Sequence, residues 1–176
     1  EYNLKMFDDR KKLERITGTE FLFSLYSLYT NNALIPITSG DGVIVTIHQI
    51  TSLLDQLEEY LSSLGKLYTI TGNIGSGQIS VITLFDPRAR NYEDDIILYT
   101  KNIFSLVKNY DGGISAIGGE GLTRAPFLSY VFNEAALSVF KKIKDIWDPL
   151  SVLNPGKKFG VSTTYLQQHL KKPARE

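Results

Sequence analysis

Between Val43 and Ile117 the apolar residues switch from strand-like runs to the three-and-four spacing of a helix and back, and glycine, proline or asparagine punctuates most of the switches. That order constrains the fold more than any other feature of the chain. Val43-Ile44-Val45-Thr46-Ile47 is a β-branched run of strand length. Thr46, with Gln49 three residues on, has the form of a capping box. Ile50, Leu53, Leu54, Leu57, Leu61 and Leu64 then repeat as one buried helical face, and Gly65 closes it. Leu67 to Thr71 reads as a strand, Gly72-Asn73-Ile74-Gly75-Ser76-Gly77 as a connection, and Gln78 to Phe85 as a further strand ended by Asp86-Pro87. Asn91 is placed to cap a second helix with Ile96, Thr100, Ile103, Phe104 and Val107 inward, which stops at Asp111-Gly112-Gly113. Ile114 to Ile117 completes the order β-α-β-β-α-β. This predicts an α+β, ferredoxin-like antiparallel sheet with its helices on one face.

The flanks are less regular. The first twenty residues mix charge with Leu4, Phe7, Leu13 and Ile16, a marginal helix, and Phe21 to Tyr29 is apolar and aromatic with a period that fits either a buried helix or a strand. Asn31-Asn32 and Ser39-Gly40-Asp41-Gly42 read as loop. After Pro126 an extra helix is expected, with Leu128, Val131, Phe132, Ala135, Val139 and Ile143 inward and a stop at Asp148-Pro149. The domain reading is an N-terminal helical or irregular extension over 1–40, a folded domain over 41–160, and a flexible polar tail over 161–176.

Composition narrows the function. Nineteen basic residues balance nineteen acidic ones, which removes the electrostatic footprint of a nucleic-acid binder. The chain has no cysteine, which excludes disulfides, thiolate metal sites and a cysteine nucleophile. No apolar run is long enough for a transmembrane segment and no signal peptide opens the chain, so a cytoplasmic protein is expected. The first residue is Glu1, not methionine, which points to a processed or trimmed chain.

Several clusters invite chemistry. Gly72 to Gly77 has the spacing GxxGxG between two strands, whereas phosphate loops join a strand to a helix, so turn glycines are the plainer reading. His48 and His169 are the only imidazoles, no third ligand accompanies either, and both read as solvated. Glu58-Glu59 and Asp94-Asp95 read as solvated helix charge. Arg124 follows a glycine segment and precedes Ala125-Pro126. It is placed either to present its guanidinium to a ligand carboxylate or to pair with a nearby acid.

Four phrases in order resemble the C-terminal domain of FAD-linked oxidases, the family of glycolate oxidase, D-lactate dehydrogenase and D-2-hydroxyglutarate dehydrogenase. Asp41 to Thr46 resembles the family's acidic-x-V-x-V-P strand, with Thr46 for the proline. Gly72 to Val81 resembles GHxGDGNxHV, Asp111 to Leu128 resembles GGSxSGEHGxGxxRxPYL, and Lys144 to Lys157 resembles KxxxDPxxxLNPGK. The match covers about 41–160.

The resemblance implies that a separate FAD-binding domain, on the same polypeptide or a partner subunit, holds most of the flavin while this domain caps the substrate. It implies oxidation of a small-molecule carboxylate, a 2-hydroxy acid, by hydride transfer to FAD. Asn73, Gln78, Ser80 and Arg124 are the implied substrate contacts, and Asn154 and Lys157 the implied flavin contacts. In many relatives two histidines and a glutamate hold a metal beside a histidine base. Those positions are Asn73, Ser80, Ile117 and Gly118 here, so no metal is expected and no catalytic residue is assigned. On the resemblance the fragment alone is inactive. Two other readings stand beside it: a degenerate, non-enzymatic relative kept for assembly or small-ligand binding, and a free-standing regulatory domain of ferredoxin-like form.

Overall fold

The structure, a computed structural model, describes residues 34–170. The expectations for the first twenty residues, for Phe21 to Tyr29 and for Asn31-Asn32 lie outside the described residues. The elements run β1 (Ile35–Ile44), α1 (Ile50–Ser63), β2 (Tyr68–Asn73), β3 (Gln78–Phe85), α2 (Tyr92–Asn109), α3 (Gly121–Arg124), α4 (Glu134–Trp147) and α5 (Thr163–Gln168). The fold is α+β, with a three-stranded antiparallel sheet in the order β1-β3-β2.

Alternation along β3 assigns the two faces of the sheet. Ile79, Val81 and Phe85 join the main core cluster, together with Leu53, Leu57 and Leu61 of α1 and Ile96, Ile103 and Phe104 of α2. Thr83, wholly buried on that face, donates its hydroxyl hydrogen to the Tyr99 hydroxyl of α2 at 3.0 Å. Gln78, Ser80, Ile82 and Leu84 therefore point to the face turned away from α1 and α2. Both helices bury the stripes that their spacing predicts, and Gly65, with φ +60°, follows α1 as the left-handed residue that ends it.

The first strand departs from the sequence expectation. Residues 39–42, read as loop, lie inside β1, and the strand ends at Ile44 instead of Ile47. It stays in register through two irregularities, one between Ile37 and Gly40 and one between Gly40 and Val43. Across each, β1 advances three residues while β3 advances two, which is the count of a β-bulge. Ser39-Gly40-Asp41-Gly42 thus carries turn-like residues for bulges, which sequence rules score as loop.

Three other expectations change. Thr46 begins a 3-10 turn over Ile47–Gln49, and its hydroxyl donates to Gln49 Oε1 at 2.7 Å, so no capping box forms at α1. Asn91 stands at the start of α2 without a side-chain cap, and Glu93, Asp94 and Asp95 supply the negative charge that suits the positive end of the helix. Ile114 to Ile117 is not a strand. The chain meets β1 through paired backbone bonds between Ile44 and Gly113 (2.9 and 2.8 Å) and a bond from the Ala116 N–H to the Gly42 carbonyl (2.7 Å). The expected fourth strand is replaced by these contacts, and the sheet of the described residues has three strands.

The helix expected after Pro126 splits in two. Ala125–Tyr130 is a 3-10 turn with Phe127 and Leu128 buried, and α4 starts afresh where the Asn133 side chain accepts the Ala136 N–H at 2.9 Å. Val139 and Ile143, expected inward, are about half exposed. Within the stretch read as a polar tail, Ser162 caps α5, Leu166 is buried in the core cluster, and Gln167 donates to Asp94 of α2.

Candidate functional site

The second bulge of β1 builds the first part of the site. Asp41 and Gly42 together oppose Ser80, so one N–H and one side chain lose their regular ladder positions. The Ser80 hydroxyl meets both: it donates to Asp41 Oδ1 at 2.5 Å and accepts the Gly42 N–H at 3.4 Å. Ser80 is 7% exposed, so a missing partner here would leave a buried polar group. Asn73 pairs with Gln78 at the end of the β2–β3 hairpin, and Thr71 pairs with Ser80 beside them. Asn73, Gln78 and Ser80 consequently share the sheet face turned away from α1 and α2.

Arg124 approaches from the other side. It ends α3 and is 7% exposed. Its Nη1 donates to the Ile117 carbonyl at 2.7 Å, while its Nε is buried without a partner. Burial lowers its pKa, and the negative charges of Asp41 and Glu120 work in the opposite direction. Asp41 and Glu120 thus favour the charged guanidinium through their field, and the Ile117 carbonyl holds its Nη1. Asp41 is hydrogen-bonded to Ser80, and its charge favours the Arg124 cation. Sequence reasoning placed Asp41 in a motif but not in the site, and the signal for it was an acid followed at once by glycine before a β-branched run.

The second glycine segment borders Arg124. Gly118 and Gly121 have φ of +65° and +54°, and a Cβ added at Gly118, Gly119 or Gly121 would meet nothing within 4 Å. The first glycine segment is the opposite case. A Cβ on Gly77 would lie 2.0 Å from the Val45 carbonyl oxygen, and one on Gly72 would lie 2.2 Å from that of Gln78. Those glycines serve close backbone packing in a hairpin, not a phosphate cradle.

Residues 148–157 form the last part. The Asp148 carboxylate accepts the N–H groups of Val152 (2.9 Å) and Leu153 (3.0 Å), and Lys144 binds both that carboxylate and the Leu153 carbonyl. The hydrogen bond from Lys144 holds the Asp148 carboxyl below its ordinary range; burial opposes this, and the two backbone donors reinforce it. Ser151, Asn154 and Gly156 take left-handed backbone conformations. The turn carrying Asn154 and Lys157 is therefore formed within the chain itself, and both residues are exposed. Lys158 pairs with Glu120 at 3.0 Å and ties this turn to the second glycine segment. Burial disfavours the Glu120 carboxylate more than any single neighbour favours it, but the Lys158 hydrogen bond, a backbone N–H and the charges of Lys158 and Arg124 together lower the carboxyl's pKa.

The structure bonds Ser80 to Asp41, sets Asn73 and Gln78 on the same sheet face as Ser80, and places Asn154 and Lys157 on a separate, tied turn. His48 is exposed, and His169 stacks on Tyr165 with ring centroids 4.0 Å apart. Among the described residues no group of three His, Cys, Asp or Glu side chains is placed to hold a metal. No described helix is long and apolar enough to cross a membrane. The open second glycine segment and the exposed Asn154 amide fit a partial share of a flavin site. No strand-loop-helix phosphate cradle stands among the described glycine segments, so the residues fit contact with one side of the cofactor and not its whole length.

The sequence model described as FAD linked oxidases, C-terminal domain, matches residues 32–158. A D-2-hydroxyglutarate dehydrogenase of Stutzerimonas stutzeri is 27% identical over 124 residues, which cover 68% of this chain and 26% of that protein. The mitochondrial cytochrome-type D-lactate dehydrogenase of Kluyveromyces lactis is 23% identical over 119 residues, 68% of this chain and 20% of that protein. The glycolate oxidase subunit GlcD of Bacillus subtilis is 23% identical over 124 residues, 70% of this chain and 26% of that protein. The chain spans about a quarter or less of the length of these curated relatives.

Proposed function

The chain belongs to the family of FAD linked oxidase C-terminal domains, and on that premise we propose that it caps the substrate site of a flavin-dependent oxidoreductase acting on a 2-hydroxy acid. The observation that carries this reading is Arg124, a nearly buried cation next in sequence to a glycine segment that leaves open space. A guanidinium in such surroundings suits a carboxylate, which supplies both the charge and the acceptor. Asn73, Gln78 and Ser80 offer polar atoms to the rest of the substrate from one sheet face. Asn154 and Lys157 offer an amide and a cation to the flavin from their preformed turn. FAD, held mainly by a domain outside 41–160, supplies the acceptor for the hydride from the substrate's C2. This chain binds and orients the acid and covers it from water.

The test is anaerobic spectroscopy on the product of the complete reading frame, together with any subunit needed for flavin binding. Bleaching of the flavin by one of a panel of 2-hydroxy acids is the expected result, and a loaded flavin that none of them reduces counts against the reading. A second reading, a non-enzymatic relative, draws on the Ser80 hydroxyl already being engaged by Asp41 and Gly42, at a position where metal-binding relatives carry a histidine. Tight flavin together with substrate bleaching rejects it.

A further inference from the structure

Beside the first half of β1 the surface opens into a groove of about 200 Å³. Ile35 and Ile37 of β1, Ile96 of α2, Leu166 of α5 and Leu170 just beyond it give the groove apolar walls. That volume has room for one or two large side chains, since a cavity of roughly 150 Å³ holds a benzene molecule. Tyr92, the first residue of α2, also lines the groove and is 5% exposed. Its hydroxyl has no hydrogen-bond partner among the described residues. Burial, reinforced by the charge of Glu93, raises its pKa, so the hydroxyl keeps its proton and stays a donor without an acceptor. Native chains rarely leave such a group unsatisfied.

We propose that the segment 21–29 of the same chain docks in this groove. Four observations choose this occupant. The segment holds seven large apolar or aromatic side chains against two serines, a surface that water disfavours. Five residues separate Tyr29 from Ile35 and span up to about 20 Å, enough to return the chain over a groove whose wall includes Ile35 itself. Ser24, Tyr26, Ser27 and Tyr29 carry hydroxyl oxygens able to accept from Tyr92. Arg10, Lys11, Lys12 and Arg15 precede the segment, while Glu93, Asp94 and Asp95 open α2 next to Tyr92, so the flanks are opposite in charge. The contact holds whether or not the chain serves a flavin.

The chain has no cysteine, so engineered pairs report the contact without background. Thr38 lines the groove and is exposed. In the full chain Thr38→Cys is combined with a single cysteine at each of positions 21–29 in turn. Under mild oxidation two or more of the nine pairs should close an intramolecular disulfide at least tenfold faster than the same pairs unfolded in urea, where only the tether acts. Rates no faster than in urea at all nine positions overturn the proposal, and so does a disulfide between chains, the mark of a second copy. As a second measurement, Phe23→Ser with Leu25→Ser should lower the urea midpoint of the full chain by about 1 M or more. Tyr92→Phe should lower the midpoint of the parent chain and leave that of the double variant unchanged. A double variant that folds with an unaltered midpoint overturns the proposal, and if it does not fold the disulfide scan decides alone.

Discussion

A carboxylate at the end of a helix can hold two backbone N–H groups only if the chain folds back over it, and residues 148–153 do so around Asp148. Because the Lys144 bond lowers its pKa in the folded chain, Asp148 stabilises the turn fully at pH values above its unfolded pKa. The contribution disappears as pH falls through the lower, folded value. Trp147, the adjacent residue, should therefore keep constant emission down through the ordinary carboxylate range and change only below about 3.8, the unperturbed value. Fluorescence titration checks this, and Asp148→Asn should abolish the step. Asp148-Pro149 was legible in the sequence as a helix stop and as part of a family phrase. Its clamp on Val152 and Leu153 was not, since the left-handed backbone that brings those amides back falls on Ser151, and serine, unlike glycine or asparagine, does not favour that conformation.

Glycine-rich segments look alike as strings and differ as elements. Gly77, with φ +74° and the Val45 carbonyl in its Cβ position, closes the β2–β3 hairpin against β1, whereas Gly118 is left-handed but faces open space. Gly77→Ala should cost more than about 3 kcal/mol, because left-handed strain adds to a backbone collision. Gly118→Ala should cost about 1–2 kcal/mol, the strain alone. Urea unfolding of the two variants measures the difference, and equal costs would contradict this account of the hairpin. At this scale α1 and α2 followed from the period of their apolar residues, because each buries a single regular face, and β3 followed from an apolar run buried on both faces, whereas β2 runs on through Gly72 and Asn73, which read as connection. The start of β1 and the break between Tyr130 and α4 did not follow, because bulges and an Asn133 cap interrupt the period. Asn73, Gln78 and Ser80 could be named from the motif, but their common face depends on strand register, which the motif does not state.

Across the whole molecule, the described residues reach from β1 to α5, and α5 returns to α2 through Leu166 and the Gln167–Asp94 bond. Leu166→Ala should lower stability by about 2–5 kcal/mol in equilibrium unfolding, the range for emptying a buried leucine site. A change near zero would mean that the helix contributes nothing to the unit. A polar sequence of six residues gave little reason to expect that contribution, since one leucine supplies most of its apolar contact. The doubly kinked first strand has a consequence for how the chain behaves among its own copies. A straight outer strand offers a continuous row of amides on which foreign strands can stack, while two extra residues break that row and twist it. This side of the sheet is a poor template for fibril growth, even at high concentrations of the chain.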